Sequence, residues 1–343
     1  MSIGSFDWLR PEIAKAQAHH QQQVAAFYAM PAAEPGVVLA MAGGAYGHSH
    51  GLAGTNEIDM LRQPDDWLHD VLADMAAHIE GAADRDTFRP LVVELDALGV
   101  HFIDALFGAE VYFHEGQVWS HELSYDIGQL TLPDLAHSPL LQATLHLARL
   151  AVEQTHGRLL IAGPVLSCPA NIAINLFGER FLIALVERPA VAAHTLRIIT
   201  DIIGACTRAF AEVLPLDVRR NSVAGNRYAP PGYGQIDGCA TQLLSARHYR
   251  EFFASLDAEL LSPHGGMIHL CGSHSQHIPT WRAMPMLRSF QLNDRATDDL
   301  ERYCTGLRPD QLLYISPTEA MPIPRILALT QGRRVVIQAD KCW

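Results

Sequence analysis

Four short apolar runs decide the fold: Gly266-Met-Ile-His-Leu270, Leu287-Arg-Ser-Phe-Gln-Leu292, Gln311-Leu-Leu-Tyr-Ile315 and Arg334-Val-Val-Ile-Gln338. Their starts are 21, 24 and 23 residues apart. Segments of helical character, 275–283, 296–305 and 322–331, lie between them. Strand then helix at such a repeat is the pattern of parallel βα units, because a parallel strand needs a crossover before the next can pair. No linker or low-complexity segment divides the chain. The reading is one α/β barrel domain over 36–343, preceded by an N-terminal helical extension over 1–35.

Working outward, residues 7–29 read as a helix and Val37–Met41 as a strand. Asp65–Ile79 reads as a helix whose first turn carries Asp65 and Asp66, which suit the positive end of a helix dipole. Ala109–Glu122 reads as a hairpin turning at His114–Gln117. Ser138–Thr155 is a predicted helix, Leu159–Ala162 a strand and Ala190–Val213 a long apolar helix packed on a sheet.

With 49% apolar and 18% charged residues in 343, the composition is that of a globular chain with ample core. A net charge of −12 leaves no basic footprint for nucleic acid. No run approaches the roughly 18 continuous apolar residues of a membrane span. Met1–Arg10 lacks the layout of a signal peptide. The expected location is therefore the cytoplasm, with neither nucleic acid nor membrane as partner. The six cysteines (168, 206, 239, 271, 304 and 342) are then buried apolar groups, ligands or nucleophiles rather than disulfide partners. Cys206, inside an apolar helical stretch, reads as a buried small hydrophobe.

In an α/β barrel the reacting groups sit where strands end. Polar residues fall at that point in each late unit: His269 and Cys271, then Asn293 and Asp294, then Thr318 and Glu319, then Asp340, Lys341 and Cys342. His269 and Cys271 are two apart and point the same way from a strand. With Cys342 they make one imidazole and two thiolates, a plausible catalytic zinc set that keeps a fourth position open. A rival set, His269, Cys271, His274 and His277, lies within nine residues and would form a closed structural site. Cys304, near the end of a predicted helix, is a weaker candidate. His48 and His50, flanked by glycines, line the barrel mouth or sit in a solvated loop. Asp237 faces the mouth if Ile236 ends a strand, with Ser245 capping the helix that follows. His101 and Asp104 are candidates for a substrate pocket; the alternative is a satisfied buried His beside a helix-start Asp.

Asp237-Gly-Cys-Ala-Thr-Gln-Leu-Leu-Ser245, Tyr249-Arg-Glu-Phe252, Gly265-Gly266 and His269-Leu-Cys-Gly272 together resemble the uroporphyrinogen decarboxylase superfamily. So do Gly163-Pro164 with Leu176-Phe-Gly178, and Phe107-Gly108 with Trp119. The resemblance runs from residue 88 to the end and is most specific over 237–272. It implies a (β/α)8 TIM barrel and one of two chemistries. The decarboxylase branch carries an Arg-Gln-Ala-Gly-Arg type motif, of which this chain has only Arg62-Gln63 followed by Pro64. The zinc-dependent branch, which moves methyl groups between corrinoids and thiols, carries His-x-Cys and a later Cys as ligands, here His269, Cys271 and Cys342.

The expected function is therefore a zinc (Zn2+) methyltransferase that activates a small-molecule thiol. Asp237 or Glu319 would act as proton acceptor or displaceable ligand, and His48, His50, His101, Asp104 and Asn293 would bind substrate. A corrinoid would arrive free or on a corrinoid protein, since no segment reads as a corrinoid-binding module. The expected assembly is a homodimer. The alternatives are a metal-free decarboxylase-like lyase using Asp237, and a binding protein with a degenerate site.

Overall fold

The computed structural model describes residues 9–29, 36–41, 45–46, 60–77, 91–96, 98–115, 117–215, 219–223, 227–228, 234–262 and 266–339. The strands are β1 Gly36–Met41, β2 Ala45–Tyr46, β3 Val92–Glu94, β4 Val111–His114, β5 Gln117–Ser120, β6 Leu160–Gly163, β7 Arg219–Val223, β8 Arg227–Tyr228, β9 Gly234–Asp237, β10 Gly266–Leu270, β11 Leu287–Leu292, β12 Leu312–Ile315 and β13 Arg334–Ala339. The helices are α1 Pro11–Ala29, α2 Pro64–Ala77, α3 Phe102–Leu106, α4 Pro139–Thr155, α5 Pro169–Phe177, α6 Glu179–Glu187, α7 Pro189–Val213, α8 Ala246–His248, α9 Ala254–Leu261, α10 Ile278–Arg282, α11 Arg295–Asp298, α12 Leu300–Gly306 and α13 Ile323–Leu329.

The four runs that open the sequence reading are β10 to β13. With β1 and β9 they form a parallel sheet in the order β1-β13-β12-β11-β10-β9. A second sheet runs β2-β3-β6-β7 in parallel and ends in β8, antiparallel to β7. The predicted hairpin is β4-β5. Among the described residues the two sheets meet at a seam where Ser167 bridges Asp237. Cys168 N donates to Asp237 O at 2.8 Å and Asp237 N to Leu166 O at 3.3 Å. The structure establishes a parallel α/β fold; among the described residues the strands do not close into a ring.

The strands that carry the site are largely buried because helices cover their outer face. All five residues of β10 are buried, the reading expected of a parallel strand rather than a half-wet one. Trp281, Phe290 and Tyr303 pack against one another between β11 and the helices α10 and α12. Each is at 0% exposure, and a fully buried side chain of this kind contributes about 1.5–3 kcal/mol. At the start of the strands, Gln17 of α1 accepts from Leu91 N at 3.2 Å. Arg334 donates to the Phe27 carbonyl at 3.0 Å. These bonds fasten α1 to the strand starts, leaving the strand ends to the loops.

Helix α7 is long and apolar enough to cross a membrane, and half of its apolar stretch is buried in the protein. Its Ile199, Ile203 and Cys206 lie in the core, so Cys206 is the small hydrophobe expected.

Candidate metal centre

His269 is the penultimate residue of β10, and its register neighbours are Asp237 on β9 and Gln291 on β11. It is 1% exposed. Its Nδ1 meets Gln291 Oε1 in a short hydrogen bond. Gln291 Nε2 donates to Ser316 Oγ at 3.2 Å, and Ser316 Oγ to Gln338 Oε1 at 3.2 Å. This chain of polar groups crosses β10, β11, β12 and β13. An amide oxygen accepting from Nδ1 fixes the tautomer, so Nε2 keeps its lone pair for another partner. That partner is Cys271, whose Sγ is 2.8 Å from Nε2.

A third donor comes from the turn after β9. Cys239 follows Asp237-Gly238 and opens a 3₁₀ turn over Cys239–Leu243. Gly238 N donates to His269 O at 2.8 Å, which ties this turn to β10. A Cβ on Gly238 would lie 2.9 Å from Ile268 Cγ2, and one on Gly272 would run into the Gln242 side chain. Glycine at these two places lets the Cys239 turn approach the Cys271 loop. Asn171 of α5 accepts from Ala240 N at 2.7 Å and steadies the turn from the other side.

The donor atoms of Cys239, His269 and Cys271 all lie within 4.8 Å of one another. Both cysteines are half-buried. The hydrogen bond from Cys239 pulls the Cys271 thiol well below its ordinary range, with His269 adding to the pull against burial. The Cys239 thiol is pushed up by Cys271 and by burial. Two cysteine sulfurs and one oriented imidazole at the end of a parallel strand form a donor set suited to a thiophilic ion such as zinc.

The other expected residues scatter. Asn293 Nδ2 lies 4.0 Å from Cys271 Sγ, beside the centre. Its neighbour Asp294 has φ of 45°, a conformation that strains a non-glycine residue. Asp237 ends β9 as anticipated and is buried; burial raises the Cys168 thiol, with the charges of Asp257 and Asp237 adding to it. Glu319 is exposed in the loop after β12. His101 Nδ1 is 2.6 Å from Asp104 Oδ2. Burial pushes the Asp104 carboxyl up, against the pull of hydrogen bonds from His101, Asn175 and Ser120. His48, His50 and Cys342 lie outside the described residues.

His274 and His277 stand apart from the donor group. Both hold Thr241. Its hydroxyl donates to Gly238 O at 2.7 Å and accepts from His274 Nδ1 at 3.0 Å. His277 Nε2 donates to the Thr241 carbonyl at 2.8 Å. Cys304 lies half-buried on α12. Cys239 was missing from the sequence-derived ligands because it lies on a turn rather than in a strand pattern. Its one signal was its position two residues past the end of β9.

No protein-family model matches the chain, and no curated protein matches it. Among solved structures, a methyltransferase from Methanosarcina mazei is similar over 92% of this chain and 91% of its own length, with a TM-score of 0.62 and 15% sequence identity. At that identity the likeness is one of fold: the parallel α/β architecture that carries the Cys239, His269 and Cys271 centre is also that of a methyltransferase.

Proposed function

We propose that this chain is a zinc-dependent methyltransferase that activates a small-molecule thiol for methyl transfer with a corrinoid or another methyl carrier. The observation that carries the proposal is the convergence of Cys239, His269 and Cys271 within 4.8 Å at the ends of β9 and β10. In this reading those three residues hold the ion, and Cys342 is the alternative third ligand that the family resemblance implies. Zinc bound there would lower the pKa of an incoming thiol, so that its thiolate is present at neutral pH.

The protein supplies orientation. The Gln291–Ser316–Gln338 chain fixes the His269 ring, and Asn293 stands beside the sulfur of Cys271. Holding thiol and donor in line is a proximity effect. Asp237 in this scheme sets the charge behind Cys239. We further read the two parallel sheets as parts of one (β/α)8 barrel of the uroporphyrinogen decarboxylase superfamily. The seam at Ser167 and Asp237 supports this, as does the position of the centre at strand ends.

The test is metal analysis of the purified protein. It is expected to find one zinc per chain, and Cys271→Ser is expected to lose both the metal and thiol methylation. A Cys271→Ser protein that keeps zinc and activity rules the proposal out. Turnover of a porphyrinogen with zinc fully chelated would favour the decarboxylase reading built on Asp237.

A further inference from the structure

Cys239 and Cys271 each stand two residues past a registered pair, Asp237 of β9 and His269 of β10. The two chains stay joined just beyond that pair, where Gly238 N donates to His269 O at 2.8 Å. Neighbouring strands lie about 4.7–4.9 Å apart. That falls inside the roughly 4.4–6.8 Å between Cα atoms that a disulfide spans. The side chains face each other as well. Their sulfurs lie within 4.8 Å, and a hydrogen bond joins the two thiols. Closing that gap to the S–S length of about 2 Å asks for side-chain rotation rather than a move of either strand.

Access separates these two cysteines from others in the chain. Both are half-buried, so a small oxidant reaches them from solvent. Cys168 and Cys206 are at 0% exposure and closed to it. Cys304, also half-buried, stands on a separate element, α12. The Cys239 turn is pinned on both sides, by Asn171 at Ala240 N and by His277 at the Thr241 carbonyl. The two sulfurs are therefore presented to each other by the fold itself.

We propose that Cys239 and Cys271 form an oxidation site, which a hydroperoxide closes to a disulfide and so shuts to metal; the closure to metal rests on the zinc reading above. One sulfur attacks the O–O bond of the peroxide. An S–O bond forms, the O–O bond breaks, and the thiol proton leaves on the departing oxygen. The other sulfur then attacks the first. The S–S bond forms, the S–O bond breaks, and the hydroxyl leaves as water with the second thiol proton. The two thiols give up two electrons, and hydrogen peroxide is reduced to two waters. The disulfide takes away two of the three donors and leaves His269 alone. Zinc in the centre would hold both sulfurs and protect them, so oxidation acts on the empty centre.

The test treats the chelated, full-length protein with hydrogen peroxide, maps the linked peptides by mass spectrometry and measures zinc uptake on the same samples. A Cys239–Cys271 disulfide is expected, with the loss of two of the six alkylatable thiols. The oxidised protein is expected to take up no zinc, and dithiothreitol to restore one zinc per chain. In Cys239→Ser no disulfide to Cys271 can form, and dimedone is expected to capture a sulfenic acid on Cys271. A disulfide that joins Cys271 to Cys304 or Cys342 overturns the proposal, as does oxidation to sulfinic acid without any disulfide. A protein that carries the Cys239–Cys271 bond and still binds zinc as tightly as the reduced form overturns the closure to metal. A reduced protein that binds no zinc sinks the metal reading instead, and the peptide map alone then decides the pair.

Discussion

Two halves of one nine-residue stretch hold the same kinds of side chain and do different things. His269 and Cys271 point into a group of sulfur and nitrogen donors. His274 and His277 point into the protein and grip Thr241, two residues past Cys239. The first pair leaves the end of β10, where alternate residues share one side. The second begins the 3₁₀ turn Ser275–His277, where the chain has already turned away from the strand. Imidazoles join the donor group or brace a turn according to which atoms they meet, and that is set by the point at which the strand stops. The braces serve the donor group: both fasten the turn that presents Cys239.

The division of labour can be broken from either side. The largest effect is expected at the ligands. Cys239→Ser should weaken zinc binding by more than the roughly 10–100-fold that loss of an outer partner costs, measured by competition with a chromophoric chelator, with little change in the melting temperature of the metal-free protein. If Cys342→Ser loses the metal and Cys239→Ser does not, the third ligand is Cys342. The brace should behave in the opposite way. His277→Ala leaves the buried Thr241 carbonyl without its donor and opens a cavity, at a cost of about 3 kcal/mol. Urea denaturation of the metal-free protein reads this directly, while zinc stoichiometry at saturating metal stays at one. A His277→Ala protein of unchanged stability would remove the brace.

The smallest expected effect is in the response to acid. Burial pushes the His274 imidazole down to about 3, helped by His277 and His269. Burial also lowers His277, against the Thr241 carbonyl. Both rings are neutral in the folded protein and take up protons more readily when unfolded. The stability they permit is therefore complete above about pH 6.5 and is lost as the pH falls below it. In His274→Asn/His277→Asn the urea midpoint should depend less on pH between 7 and 4 than in the parent. An equal dependence in both proteins would place the acid sensitivity elsewhere.

Much of the fold was legible in the residues. The runs at 266, 287, 311 and 334 are β10 to β13, and the hairpin, α4 and α7 fall within a residue or two of their predicted limits. These features are local: apolar periodicity, a turn, and a capping serine at Ser138 that accepts from Leu141 N. The site was legible in part. His269 and Cys271 share a strand end because the two-residue period of a strand puts them on one side. Asp237 was readable as the end of β9, whereas Glu319, assigned to the same kind of position, is exposed.

Sequence by itself determined the parallel α/β class and the His269–Cys271 pair, since both follow from spacing along one segment. Only the tertiary structure brought the Cys239 thiol to that pair. Cys239 is 30 residues from His269 along the chain. It reaches His269 because β9 pairs with β10, because two glycines permit close approach, and because two buried histidines hold its turn in place. Those contacts join separate segments, and no periodicity within any one of them encodes the meeting.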